Sequence, residues 1–127
     1  MINKQRLRRL LAPKSIAVFG SRGADFAIRE SLAMGFEGPI WSVHPQREQL
    51  MGIKCLQSVT DLPQAPDAAY VAVNAESAIT TVAQLNEMGA GGALLYASGF
   101  SELSDELKTV GLDRQQRLIA AAGDMPI

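Results

Sequence analysis

The chain reads as an α/β domain in three layers, a doubly wound parallel sheet between helices, and three observations predict it. Apolar runs and helical patterns alternate along all 127 residues. The runs at 15–20, 40–43, 68–73 and 92–96 are apolar almost throughout. That suits strands buried on both faces, whereas a sheet with one wet face shows strict alternation. The first run also ends in a glycine turn that opens a helix, Ser15-Ile16-Ala17-Val18-Phe19-Gly20-Ser21-Arg22-Gly23. The length suits a single domain, residues 1–127.

The elements follow in order. Lys4, Arg6, Arg8, Arg9 and Lys14 crowd the start of the chain, with Leu7, Leu10 and Leu11 among them at helical spacing. An amphipathic helix packed on the domain edge is expected there; a membrane or RNA contact is the alternative. After the first strand, a helix over 24–34 presents Ala27, Ile28, Ser31 and Leu32 on one face and stops at Gly35. Gly38-Pro39 precedes the second strand. Residues 44–57 read as loop, with Pro45 and Gly52, and Ser58 to Leu62 as a short helical turn. Pro63 and Pro66 bracket a loop before the third strand, 68–73. Asn74 is an N-cap and Glu76 a first-turn acid for a helix to Met88 that buries Ala78, Ile79, Val82 and Leu85 and ends at Gly89. Strand 92–96 and a glycine turn, Ser98-Gly99-Phe100, precede a last helix within 105–122, with Leu118 and Ile119 inward and Gly111 weakening its first half. Met125-Pro126-Ile127 reads as the start of a fifth strand, so a longer polypeptide is expected. Right-handed crossovers give the sheet order 3-2-1-4, completed by that short strand.

Composition narrows the function. A formal net charge of −1 argues against general affinity for nucleic acid or anionic membrane. The N-terminus has neither a signal-peptide nor a membrane-span pattern. Cys55 is the single cysteine, so no intrachain disulfide and no Cys/His metal cluster form, and a cytoplasmic protein with Cys55 as a small buried residue is expected. No catalytic constellation appears: Ser98-Gly99 lacks the nucleophile elbow, and His44 is the single histidine.

In a Rossmann-like sheet the ligand sits at the carboxyl ends of the strands. Those ends carry Gly20-Ser21-Arg22-Gly23, His44-Pro45-Gln46-Arg47, Asn74-Ala75 and Ala97-Ser98-Gly99. The glycine turn suits a phosphate against a helix N-terminus, but it lacks the third glycine of the dinucleotide fingerprint, and a tight turn without a ligand fits it equally. An NAD site places an acid after the second strand; here stand His44 and Arg47, which suit a phosphorylated ribose, that of NADP or the 3′-phosphate of coenzyme A. For Arg47 the alternative is a solvated loop residue, and for His44 a ring packed against the sheet edge.

Several segments together resemble the CoA-binding domain of NDP-forming acyl-CoA synthetases, a family that includes succinyl-CoA synthetase alpha chains, ADP-forming acetate–CoA ligases and protein acetyltransferases with the same domain. They are Leu10 to Gly20, Gly35 to Pro45, Gly52 to Pro63, Pro66-Asp67-Ala68-Ala69 and Ser98-Gly99-Phe100-Ser101-Glu102. The resemblance covers essentially the whole chain. It implies a domain that holds coenzyme A, with Gly20, Ser21, Arg22 and Gly23 at its phosphates, Arg47 as the basic residue after the second strand, and Asn74-Ala75 and Ala97-Ser98-Gly99 at the remaining loops. Asn74 and Ala97-Ser98 depart from the family's usual Val-Pro-Ala and Thr-Glu-Gly. The family's phosphohistidine and ATP-grasp regions lie in other domains, and His44 does not match that phosphohistidine. The alternatives carried are a CoA-binding regulatory module of a protein acetyltransferase and an NADP-binding oxidoreductase domain.

Overall fold

Parallel pairing starts at the centre of the sheet. In a computed structural model, which describes residues 2–20, 22–96 and 108–127 and leaves aside the side chains of Arg22 and Lys108, β1 (Ile16–Gly20) lies between β2 (Ile40–Val43) and β5 (Ala68–Ala72). It is parallel to both, with Ile16 in register with Ile40 on one side and Ala68 on the other. β4 (Ile53–Leu56) pairs in parallel with β2, and β3 (Gln49–Leu50) turns back antiparallel against β4. β6 (Ala93–Leu95) pairs with β5, so the order is β3-β4-β2-β1-β5-β6.

This corrects the expected sheet. The run 68–73 pairs with β1 and not with the second strand, because residues 44–57, expected as loop, supply a hairpin whose second arm takes that edge. The 3-2-1-4 order therefore holds once residues 53–56 are counted as the third strand. The hairpin turn is Met51-Gly52, with φ of 52° and 80°. Two positive φ values in a two-residue turn are the type I′ geometry, which usually announces itself as Asn-Gly or Asp-Gly. A methionine in the first of these positions hides the signal. Met125–Ile127 is likewise not a strand: Ala93 N–H donates to the Pro126 carbonyl at 3.0 Å, but Pro126 has no N–H to extend a ladder.

Helices cover both faces. β1 sends Ala17 and Phe19 to one side and Val18 to the other, the period-2 rule of a strand. Val18 packs with Ala24 and Ile28 of α2 (Arg22–Ala33) and with Leu50 and Cys55 of the hairpin. Ala17 and Phe19 join a larger cluster with Ala78, Val82 and Leu85 of α3 (Ala75–Met88) and Leu118 and Ala122 of α4 (Lys108–Ala122). The short helical turn expected over 58–62 is a 3₁₀ turn, Val59–Asp61, with Ser58 and Leu62 as its cap residues, and its Val59 joins the same cluster. Ile79 lies at the edge of that cluster. Leu118 is inward but Ile119 is 59% exposed, since neighbours on a helix point about 100° apart and one face alone meets the core. Leu32, one turn beyond the buried Ile28 on the same face, is 54% exposed. The turn at Ser98-Gly99-Phe100 lies outside the described residues.

The basic N-terminal segment forms α1 (Lys4–Leu11), capped by Asn3 Oδ1. Arg6 and Arg9 face the protein, while Arg8 is exposed. Arg6 donates to the Ala90 carbonyl at 2.8 Å, to Asn86 Oδ1 at 2.9 Å and to Asp124 Oδ1 at 2.8 Å. Arg9 donates to the Gly89 carbonyl at 2.8 Å and to Asp67 Oδ1 at 2.7 Å. These guanidinium groups meet the carbonyls at the C-terminus of α3, where unpaired acceptors and the negative end of the helix dipole favour cations. Burial alone would raise the Asp67 pKa. The Arg9 bond, a backbone bond from Lys14 and the two positive charges outweigh it and hold the carboxyl below its ordinary value. The charge cluster thus serves helix docking, as the edge-packed reading expects.

Arg6→Ala should lower stability by roughly 1.5–3 kcal/mol, the range for bonds to a charged donor, in urea unfolding. Arg8 has no such bonds among the described residues, so Arg8→Ala should stay within about 0.5 kcal/mol. Met51→Asn, which tolerates positive φ better, should stabilise the hairpin by roughly 0.5–1 kcal/mol; a loss would show that the methionine side chain is needed there.

Candidate functional site

Register places the candidate loops side by side. Phe19 is level with Val43, Val43 with Leu56, Gly20 with Ala72, and Val71 with Leu95. One step beyond, the carboxyl edge of the sheet reads Gln57, His44, Gly20, Ala72 and Tyr96. Ser21, Ala97, Ser98 and Gly99 lie outside the described residues. Gly20, Gly23, His44, Arg47, Asn74 and Ala75 all belong to this edge or to the segments leaving it.

The glycines are required by packing. Gly20 has φ of 110°, and a Cβ there would run into the Ala72 carbonyl oxygen. A Cβ on Gly23 would lie 2.7 Å from Ala72 Cβ and 3.4 Å from Tyr70 Cε1. α2 therefore starts close over β5, with its first N–H groups unpaired by the helix itself. Asp25, in that first turn, has Oδ1 buried with no partner among the described residues. Beside Gly23 stands Tyr70, whose phenol is pushed above its ordinary pKa first by burial and then by Tyr96.

The loop after β2 is closed by backbone bonds to neighbouring residues of β4: His44 N–H donates to the Leu56 carbonyl, and Cys55 N–H to the Glu48 carbonyl, each at 2.8 Å. Between these bonds, Gln46 and Arg47 N–H both donate to His44 Nδ1 at 3.0 Å. The neutral ring with its proton on Nε2 is the form that accepts there. Arg47 is exposed on an open groove of about 670 Å³, shared with Gln46, Glu48, Lys54 and Gln57. Lys54 and Gln57 are residues that sequence reading missed. Their signal was the hairpin, and with 44–57 taken as loop nothing aimed β4 at the groove. Among the described residues neither Arg47 nor Lys54 has an ion pair, whereas Arg6, Arg9 and Arg117 do.

On the far side of β1, Asn74 caps α3, its Oδ1 accepting from Ser77 N–H at 2.9 Å, and Ala75 is buried under it. Glu76 then turns to α4. Arg117 Nη2 lies 2.7 Å from its Oε1, Arg117 Nη1 2.9 Å from Oε2, and Arg114 Nε 3.2 Å from Oε1. The Arg117 bonds lead, with Arg114 in support, and they hold the Glu76 carboxyl at about 2 against an ordinary 4.5. Arg117 is shifted upward in return. The first-turn acid expected from the sequence thus also fastens α4 to the N-terminus of α3. Cys55 is buried, with its Sγ 3.3 Å from Ser42 Oγ. Among the described residues no cluster of His, Cys, Asp and Glu suits a metal ion, and no helix is long and apolar enough to cross a membrane.

Residues 14–124 match the family model described as a CoA binding domain. The chain is 35% identical over 127 residues to a trans-feruloyl-CoA synthase from an unknown prokaryotic organism, covering 96% of this chain and 17% of that protein. It is 33% identical over 121 residues to an ADP-forming acetate–CoA ligase II of Archaeoglobus fulgidus, covering 91% of this chain and 17% of the relative. It thus spans about a sixth of the length of these curated relatives. Among solved structures, the apo form of a dinucleotide-forming acetyl-coenzyme A synthetase 1 of Ca. Korarchaeum cryptofilum superposes with a TM-score of 0.78 at 28% identity, covering 94% of this chain and 26% of that one.

The lowered Glu76 pKa fixes the sign of one pH effect. A carboxyl held down in the folded state contributes stability above its unfolded value and loses it as pH falls toward the folded one. The thermal midpoint of the wild type should exceed that of Glu76→Gln at neutral pH, and the gap should close between about 4.5 and about 2. High salt should narrow it, because the pair is exposed. A gap that stays constant through this range would show that the carboxylate charge is not what joins α3 to α4.

Proposed function

This chain belongs to the family of CoA-binding domains, and we propose where coenzyme A lies on it and what the domain serves. The ligand's phosphates lie against the turn Gly20-Ser21-Arg22-Gly23 and the start of α2, where unpaired backbone N–H groups and the helix dipole favour an anion. The 3′-phosphate lies in the groove at Arg47, beside His44. The remainder passes the ends of β5 and β6, at Asn74-Ala75 and Ala97-Ser98-Gly99. The observation that carries this reading is electrostatic: Arg47 and Lys54, without ion pairs among the described residues, share one groove along the β3–β4 hairpin, and Arg47 follows the carboxyl end of β2, one strand away from the glycine turn.

The domain, residues 1–127, serves as the N-terminal CoA-binding part of an ADP-forming acyl-CoA synthetase of the cytoplasm. The likeness to feruloyl-CoA and acetate–CoA enzymes several times its length supports this. In such an enzyme, ATP phosphorylates a histidine in another domain, the phosphoryl group passes to a carboxylic acid, and the CoA thiol displaces phosphate from the acyl phosphate. The partners of this domain are then the phosphohistidine and ATP-grasp domains, with neither nucleic acid nor membrane. This chain's part is to hold CoA, and the choice of acid falls to other domains.

Titration calorimetry with CoA and dephospho-CoA tests the placement. Arg47→Ala should weaken CoA about tenfold and leave dephospho-CoA nearly unchanged, since a charge-assisted contact of roughly 1.5 kcal/mol corresponds to about one decade. Equal losses for both ligands would remove Arg47 from the 3′-phosphate, and tight NADP binding without CoA binding would overturn the whole reading.

A further inference from the structure

We propose that His44 is a positioning residue: its ring holds the 44–48 loop in the shape that presents Arg47, and it does so through Nδ1 rather than by touching the phosphate. This rests on the reading of Arg47 given above. The loop's two ends are fixed to β4 by the backbone bonds His44 N–H to the Leu56 carbonyl and Cys55 N–H to the Glu48 carbonyl. Its interior amides, those of Gln46 and Arg47, have their acceptor in the imidazole, at 3.0 Å each. One side-chain acceptor taking N–H groups two and three residues ahead is the geometry that asparagine and aspartate side chains use to stabilise turns. Here a histidine nitrogen fills the place of their oxygen. Pro45 follows directly and fixes one backbone dihedral of the same turn. The loop is thereby ordered before any ligand arrives, which lowers the entropy cost of binding through Arg47.

The arrangement makes the ring's protonation matter in a definite direction. An imidazolium carries a proton on both nitrogens and accepts no bond. Protonation therefore releases the Gln46 and Arg47 amides and loosens the loop. A ring that touched the phosphate directly would act in the opposite sense and bind more tightly when charged. Among the described residues, the charged groups lining the groove with the loop are Arg47 and Glu48 on the loop itself and Lys54 on β4; the adjoining ends of β1 and β4 contribute the uncharged Gly20 and Gln57.

The test compares His44→Ala, His44→Asn and Arg47→Ala with the wild-type chain, reading the ratio of CoA to dephospho-CoA affinity. His44→Ala should lower that ratio about three- to tenfold, while His44→Asn, whose Oδ1 restores an acceptor, should stay within about twofold of the wild type. On acidification, the wild-type ratio should fall relative to that of His44→Asn; the comparison cancels titration of the CoA phosphate itself. Without ligand, nitrogen NMR should find the wild-type ring protonated on Nε2 at neutral pH, and the Gln46 and Arg47 amides should exchange more slowly than in His44→Ala. A ratio that falls in Arg47→Ala but not in His44→Ala overturns the positioning role and leaves the Arg47 reading intact. A wild-type ratio that rises in acid relative to His44→Asn, or a free ring protonated on Nδ1, also overturns it. A ratio unchanged in Arg47→Ala removes the 3′-phosphate reading itself, and the role proposed for His44 with it. Should His44→Ala fail to fold, the ring tautomer, the amide exchange of the wild type and the His44→Asn comparison decide alone.

Discussion

The close fit of the end of β1 against β5 is the constraint on which the other features depend. Gly20 stands level with Ala72, and the Ala72 carbonyl leaves no room for a side chain on it. Its positive φ turns the chain out of the sheet at once, and Gly23 lets the first turn of α2 settle over Ala72. Because β1 has β2 on one side and β5 on the other, with the connections running to opposite faces, a crevice opens at the carboxyl edge where the strand order reverses. The packing that closes the core and the geometry that exposes a helix N-terminus to an anion are one arrangement. Steric demand alone explains the glycines, so they do not by themselves distinguish a ligand site from a bare turn. The charges around them must do that.

Charge is distributed accordingly. At the opposite end of the molecule, Arg6 and Arg9 are taken up by the carbonyls at the C-terminus of α3 and by Asp124 and Asp67. Arg117 is held by Glu76 and Asp113. Among the described residues, Arg47 and Lys54 stand on one groove along the β3–β4 hairpin without such partners, and Glu48 beside them keeps the local charge modest. A chain of net charge −1 can in this way offer a cationic spot to a phosphate without a general attraction to polyanions. Arg6, Arg9, Arg114 and Arg117 are each engaged by a carboxylate within the fold, which leaves them less available to an anion.

Much of this was legible in the sequence. The glycine turn, the four apolar runs and the Asn74 cap followed from local rules, because strand burial, helix capping and helix termination each depend on a few adjacent residues. Resemblance across several segments brought coenzyme A into view where the incomplete glycine fingerprint left NADP open. The β3–β4 hairpin was not legible, because Met51 occupies a positive-φ position usually marked by asparagine or glycine. With the hairpin went Lys54, Gln57 and the correct neighbour of β5. The exposure of Leu32 and Ile119 was also missed, since apolar identity does not say how far the core extends along or around a helix.

The sequence by itself determined the fold class and the loops that lie at the carboxyl edge, since these depend on composition, periodicity and short motifs, and its resemblance to a known family pointed to coenzyme A. Tertiary structure alone decided which strand pairs with which, that the N-terminal arginines serve the C-terminus of α3, and that Glu76 joins two helices. It also decided that the Nδ1 of His44 is occupied by its own loop. Each of these is a contact between groups whose meeting depends on where the chain turns, and local residue preferences carry no information about such distances.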